Sequence, residues 1–239
     1  MGRDLHAQLR SLRLRAAYGE ARQLIRRQAN FGGSPVLAKL LYEHEDFWWT
    51  PLVGRRAVLK RRCAEDVEFV RACWADAEFM TKFNRFARPL PPDDEQLRQV
   101  LSRENAGLLS ELKALHWTIH TRSGPVGFVS ATDHSWAHRR CEFLIGLRQP
   151  ASPVPVEAAR LAIEFLRDRA RVERLTAHFY SDNSYAARVA AKFGFQPEGL
   201  LKGYLRNPEG GRIDVAVSGL VLANQHQNSV TQPQTRSCS

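Results

Sequence analysis

The 239-residue chain contains no apolar run that approaches the ~20 residues a membrane-spanning helix requires. Nor does any segment combine a basic start, an apolar core and a small-residue cleavage site, so no secretory signal is expected. Cysteine is scarce. The four present, Cys63, Cys73, Cys141 and Cys238, match no zinc-ligand spacing, and reduced thiols in a cytoplasmic protein are the expectation. Acidic residues are scarce at one end only: positions 1–62 hold 5 Asp+Glu against 13 Lys+Arg, whereas the rest holds 20 against 22. The net charge of +10 therefore belongs to the N-terminal part. It suits an acidic partner there, such as nucleic acid, an anionic membrane face or an acidic protein. An Arg-rich, acid-poor start is also the composition of an organelle transit peptide. Aromatic-interleaved and groove-reading motifs are missing, which argues against a nucleic-acid-binding protein.

What is present divides the chain in three. Residues 1–55 read as a basic helical N-terminal extension. Leu5, Leu9, Leu12 and Ala16 recur at helical spacing among arginines over 4–29, as one helix or a pair. Phe31-Gly-Gly-Ser-Pro35 breaks the pattern, and a short helix over 36–42 leads into Phe47-Trp48-Trp49. Those aromatics would pack the extension onto the main domain.

Residues 56–222 read as one α/β domain. A strand over 56–61 precedes a helix over 65–78 with Val67, Val70 and Trp74 on one face. Pro92-Asp-Asp-Glu95 opens a helix that runs to about residue 110. Strands over 116–121 and 125–132 flank the hairpin signal Arg122-Ser-Gly124, and 141–147 is a further strand. Ala158, Leu161, Ala162, Phe165 and Leu166 form the stripe of a core-packed helix. A strand over 175–180, a helix capped by Asn183 and ended at Gly194, and strands over 195–205 and 212–222 complete the domain. Residues 223–239 are expected to be a disordered polar tail. The mixture of hairpins and crossovers implies a mixed sheet with helices on both faces. The strand–loop–helix unit around 141–166 places a ligand crevice at strand carboxyl ends.

The run Ser181-Asp-Asn-Ser-Tyr-Ala-Ala-Arg-Val-Ala-Ala-Lys-Phe-Gly-Phe195, followed by Gln-Pro-Glu-Gly-Leu200, resembles the GNAT superfamily of N-acetyltransferases. It is most similar to the branch that acetylates ribosomal-protein N-termini and related amines. That branch's helix-opening Asn, Lys-Leu-Gly-Phe ending, Glu-Gly pair and last-strand Asp fall here on Asn183, Lys192-Phe-Gly-Phe195, Glu198-Gly199 and Asp214. Arg140-Cys-Glu-Phe-Leu-Ile-Gly-Leu147 is similar to its central strand, with the strand's usual Glu at Glu142. The resemblance implies a GNAT-like acyl-CoA N-acyltransferase fold. It implies transfer of an acetyl or other acyl group from coenzyme A to an amine by direct attack on the thioester. Acetyl-CoA, or another acyl-CoA, would be the co-substrate, with no metal.

That reaction needs a group to deprotonate the amine, and Glu142 stands where a base is wanted, directly or through a water. Glu142 equally suits an ion pair with Arg139 or Arg140. Backbone N–H groups at Ile145, Gly146 and Leu147 would serve the oxyanion. For the leaving thiolate, the family's helix Tyr position holds Ala190, so Ser184 and Tyr185 are the nearest candidates. Asn183 would hold the pantetheine arm or cap its helix. Acceptor contacts fall on His134 and Trp136 in the loop 133–139, on Tyr204, and on Asp214, which would otherwise brace the last strands. His116/His120 share the i, i+4 spacing of zinc ligands, but on a strand that spacing spans about 13 Å.

The loop before the 158–166 stripe departs from the family. A glycine-bearing segment usually cradles the coenzyme A pyrophosphate there. Here the segment is Gln149-Pro-Ala-Ser-Pro-Val-Pro-Val156, without glycine, and Pro153 and Pro155 have no N–H. Ser152, Val154, Val156 and Glu157 remain as donors. A loop poor in amides, joined to a basic extension, keeps two other functions open. One is an acyltransferase whose donor rides on an acidic acyl carrier protein. The other is a non-catalytic member of the same fold that binds a partner.

Overall fold

The computed structural model describes residues 3–28, 31–148, 153–207 and 210–222. Ser152 and the tail 223–239, with Cys238, lie outside the described residues. Eight strands form one sheet, in the order β1-β2-β3-β4-β5-β6-β8-β7. They are β1 (Leu52–Val53), β2 (Val58–Arg61), β3 (Leu115–Thr121), β4 (Gly124–Ser135), β5 (Arg140–Leu147), β6 (Arg174–Tyr180), β7 (Gln196–Arg206) and β8 (Arg212–Val221). Every neighbouring pair is antiparallel except β5 with β6. A parallel pair needs a crossover, and α8 (Val154–Asp168) supplies it. The mixed sheet with helices on both faces is the architecture the sequence implies.

Period-two alternation sorts the side chains. Trp117, Ile119, Val129, Ala131, Cys141, Phe143, Leu175 and Ala177 face α8, meeting Ala158, Ala162, Phe165 and Leu166 of its stripe. Burying each such large side chain contributes roughly 1.5–3 kcal/mol. The helix α9 (Ser184–Lys192) lies on the same side through Ala190 and Phe193. On the opposite face, Phe128 meets Val67, Val70, Phe79, Met80, Leu97 and Leu101. Those residues come from α4 (Val67–Ala75), α5 (Ala77–Phe83) and α6 (Asp94–Ala106).

The N-terminal residues form α1 (Arg3–Leu14), α2 (Tyr18–Arg26) and α3 (Pro35–Glu43). Leu5, Leu9, Leu12, Ala21, Ile25, Leu37 and Leu40 make a cluster of their own that includes Leu108 of the main chain fold. The buried Arg13 guanidinium reaches Glu111 at 3.1 and 2.9 Å and the His44 ring at 3.1 Å. Phe47 and Trp48 pack edge-on to Phe165, with centroids 6.3 and 5.6 Å apart.

Three elements differ from the sequence expectation. The helix expected over 65–78 is broken, because Asp76 caps a new helix: its carboxylate accepts from Phe79 N at 3.0 Å and from Arg148 Nε at 3.0 Å. Asp76 thus serves the orphan N–H groups of α5 better than it would serve a helix interior. The helix expected to reach 110 stops at Ala106, and α7 (Leu109–Leu112) restarts after Gly107. β1 is two residues long, too short to show a period. Among the described residues no helix is long and apolar enough to cross a membrane.

Candidate active site

The crevice begins where two strands part. β5 and β6 pair only through Arg140↔Arg174, Cys141↔Leu175 and Glu142↔Thr176. Beyond that, β5 stays with β4 as far as Leu147, and β6 stays with β8 as far as Tyr180. Residues 143–147 therefore present a β5 edge with no strand partner on the β6 side, and its backbone donors and acceptors are open to an added extended chain. Ile145, Gly146 and Leu147 lie on this edge. Gly146 is required by packing: a Cβ there would lie 2.3 Å from the ring of Phe83 on α5. Bare backbone at 146 lets α5 lie against the open strand.

Glu142 stands at the fork. Its Oε2 accepts from Thr132 Oγ1 at 3.3 Å, and its Oε1 is hydrogen-bonded to Nδ1 of His178, two residues past the last parallel pair on β6. The bond crosses the mouth of the fork. Both side chains are 36% exposed, so a substrate can reach them. The Glu142 hydrogen bond holds the His178 imidazole above its ordinary value, against the lowering effect of partial burial. Arg139 and Arg140, the alternative partners for Glu142, pair instead with Glu173 and Asp133.

Two residues farther along β6, Tyr180 OH accepts from Arg85 N at 3.1 Å. The Arg85 guanidinium lies 4.0 Å over the Tyr180 ring and is tied to Asp182 at 3.1 and 3.0 Å. These contacts pin the segment after α5 over the end of β6 and give the crevice a wall.

The other sequence candidates scatter. Asn183 Oδ1 caps α9 by accepting from Ala186 N at 3.2 Å. Ser184 Oγ accepts from Arg188 at 3.1 Å, and Tyr185 is 64% exposed. Asp214 braces the last strands: its carboxylate accepts from Gly203 N at 2.6 Å and Lys202 Nζ at 3.0 Å. Those bonds hold a β7 irregularity where Gly203 takes φ +53°. Tyr204 is exposed on the edge strand β7. His134 is buried, with its ring edge-on to Trp136 at 4.8 Å and its backbone N–H donating to Lys113 O at 3.0 Å. Burial pushes its imidazole down to about 4. Trp136 lies under Lys39 of α3, 5.5 Å from Nζ. Their contacts are thus with α3 and the segment before β3, and not with Glu142. His116 bonds to Ser130 at 2.9 Å on the strand and is pushed down to about 3, chiefly by burial.

The start of α8 offers few donors. Pro153 and Pro155 have none, and Glu157 N–H bonds to Pro153 O at 3.1 Å. Val154 and Val156 lie in the first turn of α8, where N–H groups have no partner within the helix, and the Val156 side chain is exposed. The Glu157 carboxylate is engaged elsewhere. It accepts from the N–H groups of Arg55, Arg56 and Ala57 at 2.8, 2.7 and 2.8 Å. Burial raises its pKa, but those three bonds together lower it more, and the net shift is downward. An acyl-CoA thus fits the open β5 edge along its amide-bearing arm, and among the described residues the α8 start offers it the amides of Val154 and Val156.

Sequence reasoning missed His178 and the role of Glu157. His178 was visible as the polar member of the alternating run 175–180, on the same parity as Thr176 opposite Glu142. Only the strand register makes the pair apparent.

Residues 56–196 match the model of the acetyltransferase (GNAT) domain. No curated protein matches the chain. Among solved structures, a T. thermophilus protein classed as an acetyltransferase is 25% identical, with 72% of this chain and 88% of that chain covered and a TM-score of 0.57. A spermidine N-acetyltransferase from Vibrio cholerae, in complex with CoA and spermine, is 15% identical over 72% and 98% of the two chains, with a TM-score of 0.61. A ribosomal-protein α-N-acetyltransferase, RimL, is 14% identical over 72% and 94%, with a TM-score of 0.61.

Proposed function

The chain belongs to the acetyltransferase (GNAT) family, and from that premise we propose that it moves an acetyl group from acetyl-CoA to an amine held in the β5–β6 fork. The parting of β5 and β6 just past Glu142 carries this reading. The acyl donor's arm lies along the open edge 143–147, whose N–H groups bond its amides and hold the oxyanion as the amine attacks. The thioester carbonyl then faces Glu142, the carboxylate that makes the site basic. The acceptor enters between the fork and the segment pinned by Arg85. Amines of the kind named for the structural neighbours, a polyamine or a protein N-terminus, are the first to try.

The weak point is the grip on the donor's pyrophosphate. The N–H groups of Ser152, Val154 and Val156 would hold it in place of a glycine cradle, and the arm supplies the rest of the binding. The comparisons give no support to a carrier protein as donor. The test is incubation of the full chain with acetyl-CoA or an acetylated carrier protein, each with spermidine or a peptide bearing a free N-terminus, and detection of acetylated product by mass. Product from acetyl-CoA is the expected result. Product from the carrier protein alone overturns the donor, and no product from either overturns the catalytic reading.

A further inference from the structure

We propose that His178 is the group that takes the proton from the attacking amine, through Nε2, and that Glu142 is the carboxylate that positions it. The inference deepens the acetyl-transfer reading and rests on it. A carboxylate only accepts hydrogen bonds, so the bond from His178 Nδ1 to Glu142 Oε1 fixes the hydrogen on Nδ1. Nε2 then carries the lone pair, which is the tautomer a base requires. Thr132 Oγ1 donates to the other Glu142 oxygen at 3.3 Å and fixes the carboxylate from β4. The three side chains line up across β4, β5 and β6, ending at the mouth of the fork.

The amine nitrogen forms its bond to the thioester carbon, and its proton passes to His178 Nε2. The C–S bond then breaks, and the imidazolium returns that proton to the departing sulfur. One residue serves as base and then as acid, so no other proton donor is needed. Ser184 is engaged with Arg188, and Tyr185 points outward on α9. Glu142 is the charge acting on the imidazole. The nearby Arg85 is neutralised by Asp182, and the residue across from His178 on β8 is Val217.

The test uses the full chain with acetyl-CoA and whichever amine it accepts. His178→Gln should lower kcat about 100-fold or more, within the 10²–10⁴-fold range of general acid–base catalysis, with little change in KM. The acidic limb of the kcat/KM–pH profile should lie above the ordinary His value of about 6.5 in the wild type. It should move down in Glu142→Gln and vanish in His178→Gln. Added imidazole should restore part of the rate to His178→Ala, which a merely structural role would not allow. NMR titration of the His178 ring, in the wild type and in Glu142→Gln, reads the pair without a variant at 178, and its value should fall in the variant. Full turnover with an unchanged limb in His178→Gln overturns this proposal alone. The same ring value with and without the Glu142 carboxylate also overturns it. Absence of wild-type turnover overturns the acetyl-transfer reading and takes this proposal with it.

Discussion

Glu142 and Glu157 sit at opposite ends of the unit that joins β5 to α8, and their oxygens are engaged in opposite ways. Glu157 accepts three backbone N–H bonds, all at 2.7–2.8 Å, from the turn between β1 and β2. Gly54 makes room for it, since a Cβ there would lie 2.7 Å from the carboxylate carbon. Glu142 holds one oxygen on a threonine hydroxyl and the other on an imidazole. Backbone amides do not ionise at ordinary pH, but an imidazole can gain or lose a proton. The first carboxylate is therefore a fixed tie between the N-terminal turn and the crossover helix. The second belongs to a pair that can change its proton count during a reaction. The same side-chain chemistry yields structure in one place and reactivity in the other, according to what donates to it.

Glu142→Gln breaks this contrast hardest. It should lower kcat by roughly 10²–10⁴ in an acetyl-transfer assay while leaving the far-UV spectrum unchanged. Glu157→Gln should do the reverse. It loses charge-assisted bonds and should cost about 1–3 kcal/mol of stability in urea unfolding, with kcat kept within about threefold. Its pH dependence has a definite sign. A carboxyl whose folded value is depressed contributes stability above its unfolded value of about 4.3 and loses it as pH falls through the folded value. The difference in stability between wild type and Glu157→Gln should therefore shrink below about pH 4. Asn183→Ala sharpens the contrast at a smaller scale. As a helix cap it should cost about 1 kcal/mol and leave KM for acetyl-CoA unchanged. A raised KM would instead place its amide on the donor's arm. Tyr185→Phe and Ser184→Ala should change the rate least, within about twofold, because Ser184 is engaged with Arg188 and Tyr185 is largely exposed.

The sequence made the scaffold readable where periodicity is strong. The Ala158–Leu166 stripe became the buried face of α8, and the alternation over 175–180 became β6. It misread places where one side chain outweighs local propensity. Asp76 sits between two alanines with no Gly or Pro to announce a break, yet its capping bonds split the helix. The site was half legible. Glu142 could be picked from its strand, but His178 is 36 residues away and meets it only through a parallel register that no local pattern encodes. His134 and Trp136 read from sequence as acceptor-contacting residues of the loop 133–139. The turns at Asp133 and Arg139, both at positive φ, bend them into the seam beside α3. The splaying of β5 left no mark in the local residue pattern, since residues 143–147 read as continuous strand whether or not β6 follows them; only the family resemblance pointed to Ile145–Leu147.

Amide hydrogen exchange with and without acetyl-CoA reads the open β5 edge and the Glu157 tie separately. Added protection is expected across residues 143–147, the open β5 edge, and none at residues 55–57, whose amides Glu157 already holds. Protection that leaves 143–147 untouched, or that appears instead at the β1–β2 turn, would contradict that expectation.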